Sequence, residues 1–286
     1  MTAIASHLTC DIFVAGGSFS AVAAALAAAR TNPKTRVILT ESTDWLGGQA
    51  TSQGVSAIDN CWFEPGASLM RENPATYYPS DYLEWIEMLW HKPADAVGEG
   101  MAPYLAGWVS REDFDPRTGA WLLEKMIAKH ENILYLPMTV VKKVETVDCS
   151  DKYGEDGRKI VSVTLIKRTA ANGYVPHSVL LSEEMHDWYS TDKSERFDKE
   201  VIQVTAENEK TLTVIDATEG GDIMVLSGAD YTIGREVANE MTQEDTQLPE
   251  IDENGSQATV FPFCVSLQND YDEETDQFIQ NHFDSF

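Results

Sequence analysis

The chain has 286 residues, with 47 Asp and Glu against 21 Lys and Arg, for a formal net charge of −26 at pH 7. A surface this acidic repels nucleic acid and anionic lipid, which argues against both as partners. Hydrophobic residues make up 43 %, enough to bury a core in one large domain or two small ones, which argues against wholesale disorder.

From the N-terminus, Asp11 to Ala15 (DIFVA) reads as a short buried strand and Gly16-Gly17 as a turn. Ser20 to Arg30, rich in alanine, reads as a helix that Asn32-Pro33 stops. Arg36 to Thr40 (RVILT) is again strand-like and ends at Glu41. Strand, helix and strand in this order make a βαβ unit, with parallel strands and a right-handed crossover. The apolar run from Ile12 to Ala29 lacks the basic segment of a secretory signal, and the glycine pair splits it. No leader and no membrane span are expected, and the cytoplasm is the expected location.

Residues 44 to 54 (DWLGGQATSQG) form a loop, and residues 62 to 118 are rich in aromatics and proline, with a helix expected around Asp81 to Trp90. Thr118 to His130 has helical periodicity, and Ile133 to Leu136 reads as a short strand. Thr139 to Val147 and Lys159 to Lys167 read as an antiparallel pair of strands. Residues 170 to 200 are polar and irregular, which predicts a surface excursion; His186, Trp188 and Tyr189 fall there, read as a packed loop in preference to a pocket border. Thr211 to Asp216 (TLTVID) is an apolar strand that runs into A-T-E-G-G-D at residues 217 to 222. After Arg235 no Lys or Arg occurs while 13 Asp and Glu follow, which predicts a solvated acidic end. Cys10, Cys61, Cys149 and Cys264 are scattered and no His pair has metal-ligand spacing, so no metal site is expected.

The stretch V-A-G-G-S-F-S-A, residues 14 to 21, admits two chemistries. It is close to the G-x-S-x-G nucleophile elbow, but such an elbow follows several strands, and here fifteen residues precede the turn. Against the G-x-G-x-x-G dinucleotide fingerprint, Gly16 stands at the tight turn, Ser18 at the close approach to the pyrophosphate and Ala21 at the helix–strand contact. At the second of these positions a serine hydroxyl can itself donate to a phosphate. The helix then offers its first N–H groups to the anion. Glu41, at the end of the second strand, suits the hydroxyls of an adenosine ribose and disfavours a 2′-phosphate.

Three stretches, D-I-F-V-A-G-G-S-F-S-A, E-S-T-D-W-L-G-G-Q-A-T-S-Q-G and V-I-D-A-T-E-G-G-D-I, together resemble the FAD-dependent oxidoreductases related to fumarate reductase flavoproteins and glutathione-reductase-type folds. F-D-P-R-T-G-A, D-W-Y-S and S-G-A-D-Y-T-I-G-R-E are also similar to this group. The resemblance implies an α/β, Rossmann-type FAD/NAD(P)-binding fold with an inserted α+β region and an antiparallel β-meander. It implies non-covalent FAD as cofactor, hydride transfer and a small organic substrate. Gly16, Gly17, Ser18 and Ala21 would line the pyrophosphate turn, and Glu41 would hold the adenosine ribose. Gly47, Gly48 and Gln49 would border the phosphates and ribityl chain, Val141 would meet the adenine through its backbone, and Ala217 and Thr218 would lie close to the cofactor.

The expected organisation is an FAD-binding domain over residues 1–60 and 119–240, an inserted region over 61–118 and an acidic segment over 241–286. The family's proteins are longer, and their C-terminal part completes the flavin wall. The chain is therefore expected to be a truncated N-terminal half, one half of a split enzyme with a complementing C-terminal chain as partner, or a shortened protein. Arg235 and Glu236 read as a structural ion pair in preference to a flavin contact, and catalytic residues remain unassigned. The alternatives are an NAD-dependent dehydrogenase on the same turn, a non-catalytic half-subunit that binds a complementing chain, and, most distant, a serine hydrolase.

Overall fold

A computed structural model describes residues 4–58, 72–90, 113–150, 156–171, 173–207, 211–234 and residue 255. Two four-stranded sheets and a helical layer make up the described part. Strands β2 (Ile12–Ala15), β3 (Val37–Thr40), β4 (Ile133–Leu136) and β8 (Thr213–Asp216) form one sheet in the order β4-β3-β2-β8. All its pairings are parallel, with Ile12 opposite both Val37 and Thr213. Helix α1 (Phe19–Thr31) supplies the crossover between β2 and β3, and Asn32 caps its end.

The second sheet contains β1 (Ser6–Cys10), β5 (Thr139–Ser150), β6 (Asp156–Ala170) and β7 (Phe197–Ala206), in the order β1-β7-β6-β5. β5, β6 and β7 are an antiparallel meander, and β1 joins β7 in parallel. The antiparallel pair is thus extended by two strands that the sequence pattern did not reveal. β7 begins inside the stretch read as an irregular excursion, and the rest of that stretch is also partly ordered, with a helix at Leu181–Trp188.

Alternation along the parallel strands explains the layering. Side chains at successive positions point to opposite faces, and β2 and β3 are apolar on both. Val14, Val37 and Leu39 pack with α1 and with α3 (Ser80–Trp90) and α4 (Pro116–Ala128); a short α2 (Pro74–Tyr77) precedes α3. Phe13, Ala15 and Ile38 pack instead against Val141, Val163, Leu165 and Val204 of the meander. A parallel sheet covered on both faces is the arrangement such continuous apolar strands require. In the helical layer Trp85 is fully buried, its indole N–H donates to the Gly119 carbonyl at 3.2 Å, and Phe19 and Phe114 meet its ring edge-to-face.

The expected α3 and α4 are present within two residues of their expected ends. Most of the aromatic stretch at 62–118, together with Cys61, Cys264, Arg235, Glu236 and the acidic segment at 241–286, lies outside the described residues, apart from residue 255. Among the described residues no helix is long and apolar enough to cross a membrane, and no cluster of His, Cys, Asp and Glu could hold a metal ion.

Phe13 is fully buried between the two sheets. Phe13→Ala should therefore lower the unfolding free energy by about 3–5 kcal/mol, measured by urea denaturation.

Candidate functional site

The carboxyl ends of β2, β3 and β8 lie side by side, and each strand leads into a glycine-bearing turn. After β2, Gly16 has φ +92, and a Cβ there would stand 2.2 Å from the Ala217 carbonyl oxygen and 2.7 Å from the Thr218 nitrogen. No side chain fits between the β2 and β8 turns. A Cβ on Gly17 would stand 2.3 Å from Glu41 Oε2, so the β2 turn and the end of β3 meet as closely. The third turn joins them where the Gly47 N–H donates to the Gly17 carbonyl at 2.7 Å. Gly47 and Gly48 both have positive φ, a backbone that glycine adopts without strain.

Ser18 is the N-cap of α1. Its Oγ accepts from the Ala21 N–H at 3.3 Å, donates to the Ala217 carbonyl at 3.1 Å and lies 2.8 Å from Ser20 Oγ. The hydroxyl proton expected to reach a phosphate is thus engaged with a backbone carbonyl. Among the described residues no imidazole stands among these partners. Ala21 is fully buried in the first turn of α1 and lines neither of the cavities described next.

Two cavities flank the turns. One, of about 370 Å³, is lined by Gly16, Gly17, Glu41, Val141, Ala217 and Thr218, with Thr40, Ser42, Thr139 and Val140 beside them. Its far wall is Met185, Trp188 and Tyr189, with Glu219, Gly220 and Asp222 at its edge. The other, of about 480 Å³, is lined by Ser18, Gly47 and Gln49 together with Phe19, Ala50, Ile58 and Glu219. Gly48 lies between them, against Ser18 and Glu219.

Glu41 is 5 % exposed. Its Oε1 accepts from the Thr43 N–H at 2.7 Å, from Thr43 Oγ1 at 2.9 Å and from Ser42 Oγ at 3.1 Å. These donors leave Oε2, the oxygen beside Gly17, for a ligand. Burial pushes the Glu41 carboxyl above its ordinary range, against the pull of the Thr43 and Ser42 hydrogen bonds. Behind the loop, the buried Arg168 donates from Nη2 to the Ser42 carbonyl, and its guanidinium lies 4.2 Å from the Trp188 ring centroid. Burial lowers its pKa to about 10, which leaves it charged at neutral pH.

The 170–200 stretch therefore forms a wall of the site, contrary to the packed-loop reading. Trp188 and Tyr189 line the cavity and His186 does not. Helix α5 (Leu181–Trp188) is held by Glu184, a fully buried carboxylate that accepts from Tyr174 OH, from the His177 N–H at 2.8 Å and from Trp188 Nε1 at 3.2 Å. Tyr189 OH then donates to Asp222 Oδ2 at 3.3 Å, at the start of α6 (Asp222–Ser227). The polarity that made the stretch look like surface belongs to an internal hydrogen-bonded cluster. A tryptophan–tyrosine pair at the end of a short amphipathic helix was the one available sign of it.

The model of the family described as FAD dependent oxidoreductase matches residues 11–175, more than half of the chain. The chain belongs to this family. Its α/β architecture, with a parallel sheet and an antiparallel meander, agrees with that membership, and FAD is the family's cofactor. A comparison with curated proteins gives no match. Among solved structures the chain is similar to a mutant of the E. coli quinol fumarate reductase FrdA, at 12 % identity and a TM-score of 0.35, over 74 % of this chain and 33 % of that one. It is similar to Thermovibrio ammonificans THI4 at 15 % identity and a TM-score of 0.36, over 80 % of this chain and 67 % of that one. L-proline dehydrogenase from P. horikoshii follows at 15 % identity and a TM-score of 0.26, over 74 % and 23 %. The chain spans a third or less of the fumarate reductase and proline dehydrogenase chains.

The Glu184 cluster makes a pH-dependent prediction. Burial opposes ionisation of this carboxylate, but its three donors outweigh burial and hold its pKa below the ordinary 4.5. A depressed folded pKa contributes stability above the ordinary value and loses it as pH falls through the folded one. Glu184→Gln should cost roughly 1–3 kcal/mol at pH 7 through mismatched donors. The gap between variant and wild type in urea midpoints should narrow as the pH drops below 4.5.

Proposed function

We propose that this chain binds FAD non-covalently and forms the nucleotide-holding half of a flavin-dependent oxidoreductase acting on a small organic substrate. The observation that carries the reading is the meeting of three glycine turns between two cavities, with Glu41 Oε2 beside Gly17. Family membership supplies the cofactor's identity.

The residues fit the group. The side-chain positions of Gly16 and Gly17 are taken by the Ala217 carbonyl and by Glu41 Oε2, so the turns close on one another, and both glycines line the cavity in which a diphosphate would meet the start of α1. In this reading Glu41 Oε2 accepts from the ribose hydroxyls, and Thr43 and Ser42 hold the carboxylate in its rotamer through Oε1. Val141 stands on the adenine side, where Met185, Trp188 and Tyr189 exclude water. Gly47, Gly48 and Gln49 face the phosphates and ribityl chain, and Ala217 and Thr218 close the turn from β8. Ala21 supports the turn from below by packing α1 onto the sheet. FAD, when bound, supplies the hydride chemistry at its isoalloxazine ring.

In this reading the described residues make up the nucleotide half of such a site. We also propose, as for the expected split or truncated half, that a complementing chain or a longer C-terminal part completes the surroundings of the ring. Residues 1–60 and 119–240 would form the FAD domain, with 61–118 an inserted region and 241–286 an acidic segment that is an incomplete substrate or cofactor region.

The test is the visible absorption spectrum of the purified 286-residue chain after incubation with FAD and desalting. A retained, structured flavin band is expected. Glu41→Ala should weaken FAD binding about 10- to 100-fold, the loss of hydrogen bonds to a charged acceptor. A colourless chain that binds NAD instead would contradict the reading and return the dehydrogenase alternative.

A further inference from the structure

Glu219 lies on the turn between β8 and α6 and lines both cavities, the one that holds Glu41 and the one that holds Gln49. Its Oε1 is 2.3 Å from where a Cβ on Gly48 would stand, and that same point is 3.2 Å from Ser18 Cα. The carboxylate therefore lies across the seam between the β2 turn and the Gly47-Gly48 turn, at a point that borders both cavities. Its charge reaches Glu41 and adds to the forces that raise the Glu41 pKa.

The backbone around Glu219 is fixed while the side chain is not. The Ala217 N–H donates to the Ala15 carbonyl at 2.8 Å. Asp216 Oδ1 accepts from Thr218 Oγ1 at 2.7 Å, and the Thr218 hydroxyl oxygen accepts from the Asp222 N–H at 2.7 Å. Glu219 itself is exposed, and among the described residues no hydrogen bond holds its carboxylate. It is followed by Gly220 and Gly221, the latter with φ +68. The carboxylate rests near the start of α1, where a helix N-terminus draws an anion, without accepting from the N–H groups there.

We propose that the Glu219 carboxylate stands in the diphosphate path and must swing aside for a dinucleotide to bind, so that it sets this site's affinity for phosphate-bearing ligands relative to plain adenosine. The inference rests on the dinucleotide reading of the cleft. An adenosine needs the Glu41 cavity alone and leaves Glu219 where it is. A diphosphate must cross the seam, where it meets both the bulk and the like charge of Glu219. Once the carboxylate has swung aside, the start of α1 is left to the anion.

Isothermal titration of the full chain with adenosine, ADP and FAD tests this, in wild type, Glu219→Ala and Glu219→Gln. Removing a like charge at this range should tighten ADP and FAD roughly tenfold in Glu219→Ala and leave adenosine unchanged. Glu219→Gln, which keeps the bulk and loses the charge, should fall between. Weaker FAD binding in Glu219→Ala would make Glu219 a ligand of the cofactor and overturn the proposal, as would unchanged ADP affinity or equal tightening of adenosine. In those cases FAD still binds and Glu41→Ala still weakens it, so the cofactor reading stands. Failure of every variant to bind ADP or FAD would sink both.

Discussion

Gly16 carries no side chain because the Ala217 carbonyl leaves no room for one. That contact between the turns after β2 and β8 is the constraint on which the site depends. It draws two strands far apart in sequence to within backbone distance at their carboxyl ends. The Ser18 hydroxyl can then cap α1 and reach the Ala217 carbonyl at once. The Gly47 N–H is placed to meet the Gly17 carbonyl by the same geometry. Parallel strands leave their carboxyl ends open in this way, and the cleft outside them is where open α/β sheets bind ligands.

Electrostatics sharpen the problem such a cleft must solve. In the proposed reading a chain with a net charge of −26 would have to admit an anionic ligand next to Glu41, Glu219 and Asp222. Its means are dipolar. In the proposed reading the positive end of the α1 dipole meets the anion without a counterion. The single buried cation near the cavity among the described residues, Arg168, is held behind the Ser42 loop by stacking on Trp188. It steadies the loop that carries Glu41 from behind.

How much of this was legible in the sequence follows the range of the signals. The turn at Gly16-Gly17, the β2–α1–β3 unit and Glu41 were readable because strand, glycine pair, alanine-rich helix and strand end lie within thirty-odd neighbouring residues. The meander's first two strands announced themselves by β-branched runs. β1 and β7 did not, since Ser6–Cys10 is short and Phe197–Ala206 carries Asp, Lys, Glu and Gln among its apolar residues. Trp188 and Tyr189 were misjudged for a related reason. The carboxylates around them looked solvated, while in the structure Glu184 is buried and fully employed by local donors. Glu219 was invisible as an obstacle, because its position over Gly48 depends on contacts between turns more than 150 residues apart.

Hydrogen exchange with and without saturating FAD tests the central claim most directly. Binding across three converging turns should slow exchange together at residues 15–22, 41–49 and 215–222, with the 139–142 and 185–189 wall following. Slowing confined to one of these turns, or protection that appears elsewhere while all three exchange as before, would contradict the account.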